Sequence, residues 1–139
     1  IKKSINFKEQ AGYNEIIKFI KRVKYNKLIT VKFIKKNIKL GKKIFIYGAS
    51  TKGNTLLQYY GLSNKEIPFA AERSKTKWGK YTIGSGVKII SEENARKLNP
   101  DYFFVMPYGF IKEFIMREKK WLNNGGKFLL PYPKLKVVK

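Results

Sequence analysis

The chain has 139 residues, neither cysteine nor histidine, and 31 Lys and Arg against nine Asp and Glu, a formal net charge of +22. Those absences exclude disulfides, Cys/His metal sites and any mechanism needing a His base or a Cys nucleophile within these residues. No apolar run approaches the roughly 20 residues that cross a bilayer, and with no signal-peptide pattern present the default location is the cytoplasm.

The length suits one domain, and a globular chain of this size buries about two-thirds of its unfolded surface. Hydrophobic content of 43% argues against disorder. The first residue is Ile1 rather than Met, so the chain reads as a fragment or the end of a longer protein. A charge of this size attracts nucleic acid or an anionic membrane surface. One reading is therefore a basic nucleic-acid-binding module. The competing one is coding bias, because Lys, Ile, Asn, Tyr and Phe all have A/T-rich codons. Arg occurs only at Arg22, Arg73, Arg96 and Arg117, and Lys is spread through the chain. Base readout favours Arg, so the charge is taken as a statement about solubility and non-specific binding.

Residues 1–11 read as a short lead-in. Over Tyr13–Leu40, apolar residues at Tyr13, Ile16, Ile17, Ile20, Val23, Leu28, Val31, Ile34 and Ile38 recur at about three- and four-residue spacing. That predicts a basic amphipathic helix, in one piece or broken near Tyr25-Asn26, with Gly41 as its stop. Such a helix can lie on a membrane or nucleic acid; the plainer expectation is that its apolar stripe packs on the domain, with no membrane partner. Alternation follows: strand Ile44–Tyr47, helix 52–60 stopped by Gly61, and strand Ile67–Ala71. A polar, glycine-rich loop comes next at 72–86, then strand Val87–Ile90 and a helix capped by Ser91 and ending before Asn99-Pro100. Strand Tyr102–Met106, helix Phe110–Asn123, strand Phe128–Leu130 and a last strand at Leu135–Val138 complete the chain. This order predicts an α/β fold, a Rossmann-like, mostly parallel sheet flanked by helices and preceded by the long helical segment of residues 1–41.

The richest stretch is Ile44–Thr55, IFIYGASTKGNT. An apolar strand turns abruptly into a helix there, which leaves unpaired N–H groups and a positive dipole end, a ready site for an anion such as phosphate. Gly48 and Gly53 allow close backbone approach; Ala49 lies in the turn; Ser50, Thr51 and Thr55 offer hydroxyls, Asn54 an amide and Lys52 a cation. Lys52 precedes Gly53, so the order is not that of a Walker A loop, nor is it G-x-G-x-x-G. A plain capped turn with no ligand is the alternative. Ligands of such sheets bind at the carboxyl ends of strands. Glu72, about 20 residues past the glycine turn, is placed to hold a ribose hydroxyl or to stand as a solvated charge at a strand end. Lys75, Lys77, Trp78, Lys80 and Tyr81 combine cations with aromatic faces, suited to a diphosphate and a base, or form an ordinary surface loop anchored by Trp78.

In order, these residues resemble the C-terminal domain of the S-adenosylmethionine-dependent sugar C-methyltransferase family. The likeness runs over residues 40–133. It rests on Tyr47–Thr55 with Leu56-Leu57-Gln58-Tyr59 and Gly61, on Glu72-Arg73, Lys77, Gly79 and Gly84, and on VKIISEENARKLNPDYFFVMPY at Val87–Tyr108. Arg117-Glu118, Gly125-Gly126-Lys127-Phe128, Pro131 and Pro133 complete it. The resemblance implies a domain that helps hold a nucleoside-diphosphate sugar, with Arg73, Lys77, Tyr81 and Tyr108 added to the glycine turn and Glu72 as its binding residues. It implies that S-adenosylmethionine and the catalytic base belong to an upstream methyltransferase domain of the same chain, behind a zinc-binding segment, with no catalytic residue here. The chain departs from the family pattern at Ser74-Lys75, where relatives tend to have Asn-Pro, and at Tyr108-Gly109, where they tend to have Trp-His.

Overall fold

The computed structural model describes residues 7–139. Residues 1–6 of the expected lead-in lie outside the described residues. From Phe7 the chain is helical, and helix α1 runs unbroken over Phe7–Lys39. Of the two alternatives, one piece or a break near Tyr25-Asn26, the single helix holds. Asn26 is instead a buried polar contact of the helix: its Nδ2 donates to the Pro131 carbonyl, and its Oδ1 accepts from the Leu135 N–H at 2.9 Å. Gly41, with φ 77°, ends the helix as expected.

Six strands form one sheet: β1 Ile44–Tyr47, β2 Phe69–Glu72, β3 Lys88–Ser91, β4 Tyr102–Val105, β5 Lys127–Leu130 and β6 Lys136–Val138. Their order across the sheet is β3-β2-β1-β4-β5-β6. The first five are parallel; β6 alone pairs antiparallel, on β5. Helix α2 (Thr51–Tyr60) follows β1, and α3 (Glu92–Lys97) follows β3. The helix expected over Phe110–Asn123 is divided into a 3-10 turn at Tyr108–Phe110, α4 (Ile111–Arg117) and α5 (Lys119–Asn123). Glu118, at φ −100° and ψ 20°, stands between α4 and α5 and is almost wholly buried.

Parallel strands buried on both faces need apolar residues at successive positions, and β1 and β4 meet that need with four buried residues each. Alternate side chains feed different cores. Ile44, Ile46, Tyr102 and Phe104 join Leu57, Tyr60 and Ile34 on the face covered by α1 and α2. Phe45, Tyr47, Phe103 and Val105 join Ala95, Phe114 and Trp121 on the face covered by α3, α4 and α5. Each large side chain buried in this way contributes about 1.5–3 kcal/mol. Both cores hold the carboxyl ends of β1, β2 and β4 at one edge. Because the chain leaves β1 for β2 on one side and returns later to β4 on the other, a crevice opens between the ends of β1 and β4.

Candidate functional site

Two backbone approaches shape that crevice. Gly48 takes φ 86°, and a Cβ on it would lie 2.7 Å from both Cγ and Cδ of Pro107. The turns after β1 and β4 therefore meet with no room for a side chain. Gly53 is buried in the first turn of α2, where a Cβ would stand against the Met106 side chain, 2.6 Å from its Cγ. It lets α2 pack directly on the end of β4.

The amides of the turn are largely spoken for. Ser50 is the N-cap of α2, its Oγ accepting from the Gly53 N–H at 3.1 Å. The Ala49 N–H donates to Glu72 Oε2 at 3.0 Å, the Ser50 N–H to the Gly48 carbonyl and the Asn54 N–H to the Ser50 carbonyl. Thr51 and Lys52 occupy the first two helical positions, where an N–H has no acceptor within the helix. Anion-binding capacity is thus narrowed to that pair of amides and the Lys52 ammonium.

Glu72 is built into the turn. Besides Ala49, its carboxylate accepts from the Ser74 N–H at 2.9 Å and from Lys77 Nζ at 3.3 Å. Lys77 Nζ also donates to the Ala49 carbonyl at 3.0 Å. These two side chains clamp the strand ends of β1 and β2. Asn54 is likewise engaged: its amide donates to the Ile83 carbonyl at 2.8 Å and accepts from Ser85 Oγ at 2.8 Å, pinning the glycine-rich loop to α2. Thr55 bonds back to the Thr51 carbonyl. Tyr81 pairs with Lys88, the first residue of β3, so it sits along the sheet edge and lines neither cleft described next.

The larger cleft, ≈ 550 Å³, lies between α2 and the turn after β4. Ser50, Lys52, Gly53 and Leu56 form one wall; Met106 to Phe110 form the other, and Tyr132 closes an end. Tyr108 and Tyr132 are half-exposed, with ring centroids 5.1 Å apart. The 131–135 segment that carries Tyr132 is held by Asn26 of α1. Lys52 is the cleft's one charged side chain and has no ion-pair partner among the described residues.

A smaller cleft, ≈ 250 Å³, lies on the opposite side of the Gly48 turn. Its cations are matched by acids. Arg73 Nη1 stands 3.5 Å from Glu113, Arg117 bonds Glu113 at 3.1 Å and Glu92 at 3.2 Å, and Lys77 meets Glu72. Arg117 Nε also donates to the Tyr47 hydroxyl, which donates in turn to the buried Glu118 at 2.7 Å. Burial above all, then the hydrogen bond to Glu118, pushes the Tyr47 phenol well above its usual range.

The turn from Gly48 to Gly53 lies at the carboxyl edge of the sheet, where the sequence reading sets it, and Tyr108, named through the resemblance, lines the larger cleft; Met106, Pro107, Phe110 and Tyr132 of that cleft were not singled out as site residues. Nor were Tyr47, Glu92, Glu113 and Arg117 around the smaller one. A hydroxyl ending an otherwise apolar strand was the available clue for Tyr47. Nothing local marks Tyr132, which a partner some hundred residues earlier sets in place. Among the described residues no three of Asp, Glu, His and Cys gather to hold a metal ion, and no helix is long and apolar enough to cross a membrane.

The chain is 40% identical over 98 residues to the C-methyltransferase NovU of Streptomyces niveus, a match covering 70% of this chain and 23% of that protein. The chain thus spans about a quarter of the length of the curated relative it matches. A family model described as the C-methyltransferase C-terminal domain matches residues 2–133. With nearly the whole chain covered and the α/β sheet in place, the chain belongs to the C-methyltransferase C-terminal domain family.

Proposed function

We propose that this domain holds the substrate of a C-methyltransferase, a nucleoside-diphosphate sugar, in the larger cleft. The observation that carries the reading is Lys52, an unpaired cation in the first turn of α2, in a largely apolar and aromatic cleft of ≈ 550 Å³. A diphosphate meets Lys52 and the Thr51 and Lys52 N–H groups there, where hydrogen bonds and helix dipole act together. The aromatic and apolar walls suit the remainder of the ligand. Glu72 enters as a positioning residue, holding Ala49 and Lys77 so that the turn keeps its shape, rather than as the ribose acceptor.

S-adenosylmethionine supplies the methyl group in this reading, bound in a methyltransferase region of a longer protein. The residues here do not fit it, because the acid at the end of β2 that would take its ribose has both oxygens engaged by Ala49, Ser74 and Lys77. The test is calorimetric titration of the chain with a nucleoside-diphosphate sugar, with inorganic diphosphate as a second ligand. Lys52→Ala removes a charge-assisted contact worth about 1.5–3 kcal/mol, so affinity falls roughly 10- to 150-fold for both ligands. Equal affinity for the wild type and the variant refutes the assignment.

A further inference from the structure

We propose that the N-terminal half of α1 is a docking surface for the region that precedes this domain in a longer polypeptide, and that the region meets it with an apolar centre and an acidic rim. The seam of the helix runs Tyr13, Ile16, Ile20, Val23, Lys27, Thr30, Ile34 at alternating three- and four-residue steps, the repeat of one helix packed lengthwise on another element. In the C-terminal half that seam is used: Thr30 and Ile34 are fully buried against the sheet. In the N-terminal half it is not. Tyr13, Ile16 and Phe19 are 59%, 58% and 51% exposed, and Ile20 is 40% exposed. The stripe opens at its lower end into a groove of ≈ 270 Å³ between Phe19, Val23 and the α2 residues Leu56, Tyr59 and Tyr60. A contiguous apolar strip of this kind marks an interaction site.

Two observations choose the occupant. Between Tyr13 and Leu28 the helix carries Lys18, Lys21, Arg22, Lys24 and Lys27 against Glu15 alone. A second copy of a chain with net charge +22 would bring like charges together along the seam. An acidic rim is complementary to it. The family is also a C-terminal domain, and 98 matched residues are 23% of the curated relative. Most of such a protein therefore stands on the N-terminal side, where the chain enters through α1. The inference needs that region to exist but does not depend on what the cleft binds.

The test is amide hydrogen exchange on the full polypeptide encoded by the gene, beside the 139-residue chain alone. Amides of residues 13–23 are expected to exchange at least about tenfold more slowly in the full polypeptide. An Ile16→Asp, Ile20→Asp pair changes exposed side chains only, so the 139-residue chain keeps its circular dichroism spectrum and melting temperature. In the full polypeptide the same pair removes the added protection, and Lys21→Glu, Lys24→Glu weakens it. Equal exchange in the two proteins overturns the proposal, as does a gene encoding no preceding region. It is equally overturned if the 139-residue chain protects these amides by dimerising, or if phosphatidylserine vesicles protect them in the full polypeptide where they were exposed.

Discussion

Glu72→Ala separates a carboxylate that builds the site from one that touches ligand. The Glu72 side chain is 13% exposed and receives the Ala49 N–H at 3.0 Å, the Ser74 N–H at 2.9 Å and Lys77 Nζ at 3.3 Å. A hydrogen bond to an ionised group is worth about 1.5–3 kcal/mol when its partner stays buried after truncation. The full sum does not apply, because both amides lie near the surface and regain water. The Lys77 side chain is 45% exposed, so its ion pair adds at most about 1 kcal/mol after screening. The expected loss is about 2–4 kcal/mol. Glu72→Gln, which keeps one acceptor but turns an NH2 toward a donor, is expected to lose about half of that. Urea unfolding followed by tryptophan fluorescence reads it as a lower midpoint at unchanged m-value. A Glu72→Ala chain within about 0.5 kcal/mol of wild type, with nucleotide-sugar affinity lost, returns Glu72 to direct ligand contact and refutes the reasoning.

Gly48→Ala forces a Cβ into the positive-φ region and to 2.7 Å from a proline ring that cannot swing away. Left-handed strain of about 1–2 kcal/mol and overpacking of about 1–3 kcal/mol predict a loss of roughly 2–5 kcal/mol in the same urea assay. For Tyr47, the folded phenol is raised by burial and by Glu118 above the ordinary value of about 10. Its stabilisation is whole below pH ~10 and drains as pH rises beyond that, since only the unfolded chain releases the proton, at about 1.4 kcal/mol per pH unit. Tyr47→Phe is less stable at neutral pH, yet its alkaline decline between pH 10 and 12 is shallower by that one proton. Parallel declines in the two proteins would count against the assignment.

What the sequence made legible follows from how locally each feature is encoded. The strand, glycine turn and capped helix at Ile44–Tyr60 depend on neighbours within a few residues, and Ser50 and Gly61 cap the helix as their types predict. A mostly parallel sheet with helices on both faces follows from the alternation of strands and helices, whereas the order β3-β2-β1-β4-β5-β6 does not, because the same alternation also suits other doubly wound orders. The roles of Glu72 and Asn54 were not readable, because they depend on distant donors: Glu72 on Ala49 across the β1–β2 pair, Asn54 on Ile83 and Ser85. An acid at a strand end looks the same in sequence whether it faces ligand or clamps a turn. The split between α4 and α5 was hidden for a related reason. Glu118 fits a helical pattern, and its burial is favoured only by Tyr47 and Arg96 arriving from other elements.

The disposition of charge narrows what the domain can do. Eight of the nine carboxylates lie among residues whose side chains are described, and each is engaged. Glu15 meets Lys18, Asp101 meets Lys42, Glu93 meets Lys97, and Glu66 takes the Ser63 N–H. Glu92 and Glu113 hold Arg117, Glu118 holds Arg96 and Tyr47, and Glu72 holds the turn. Histidine and cysteine are absent from the chain. At the larger cleft the charged group open to a ligand is Lys52, in the first turn of α2. A lone cation between apolar and aromatic walls suits an anion that also carries ring or apolar surface.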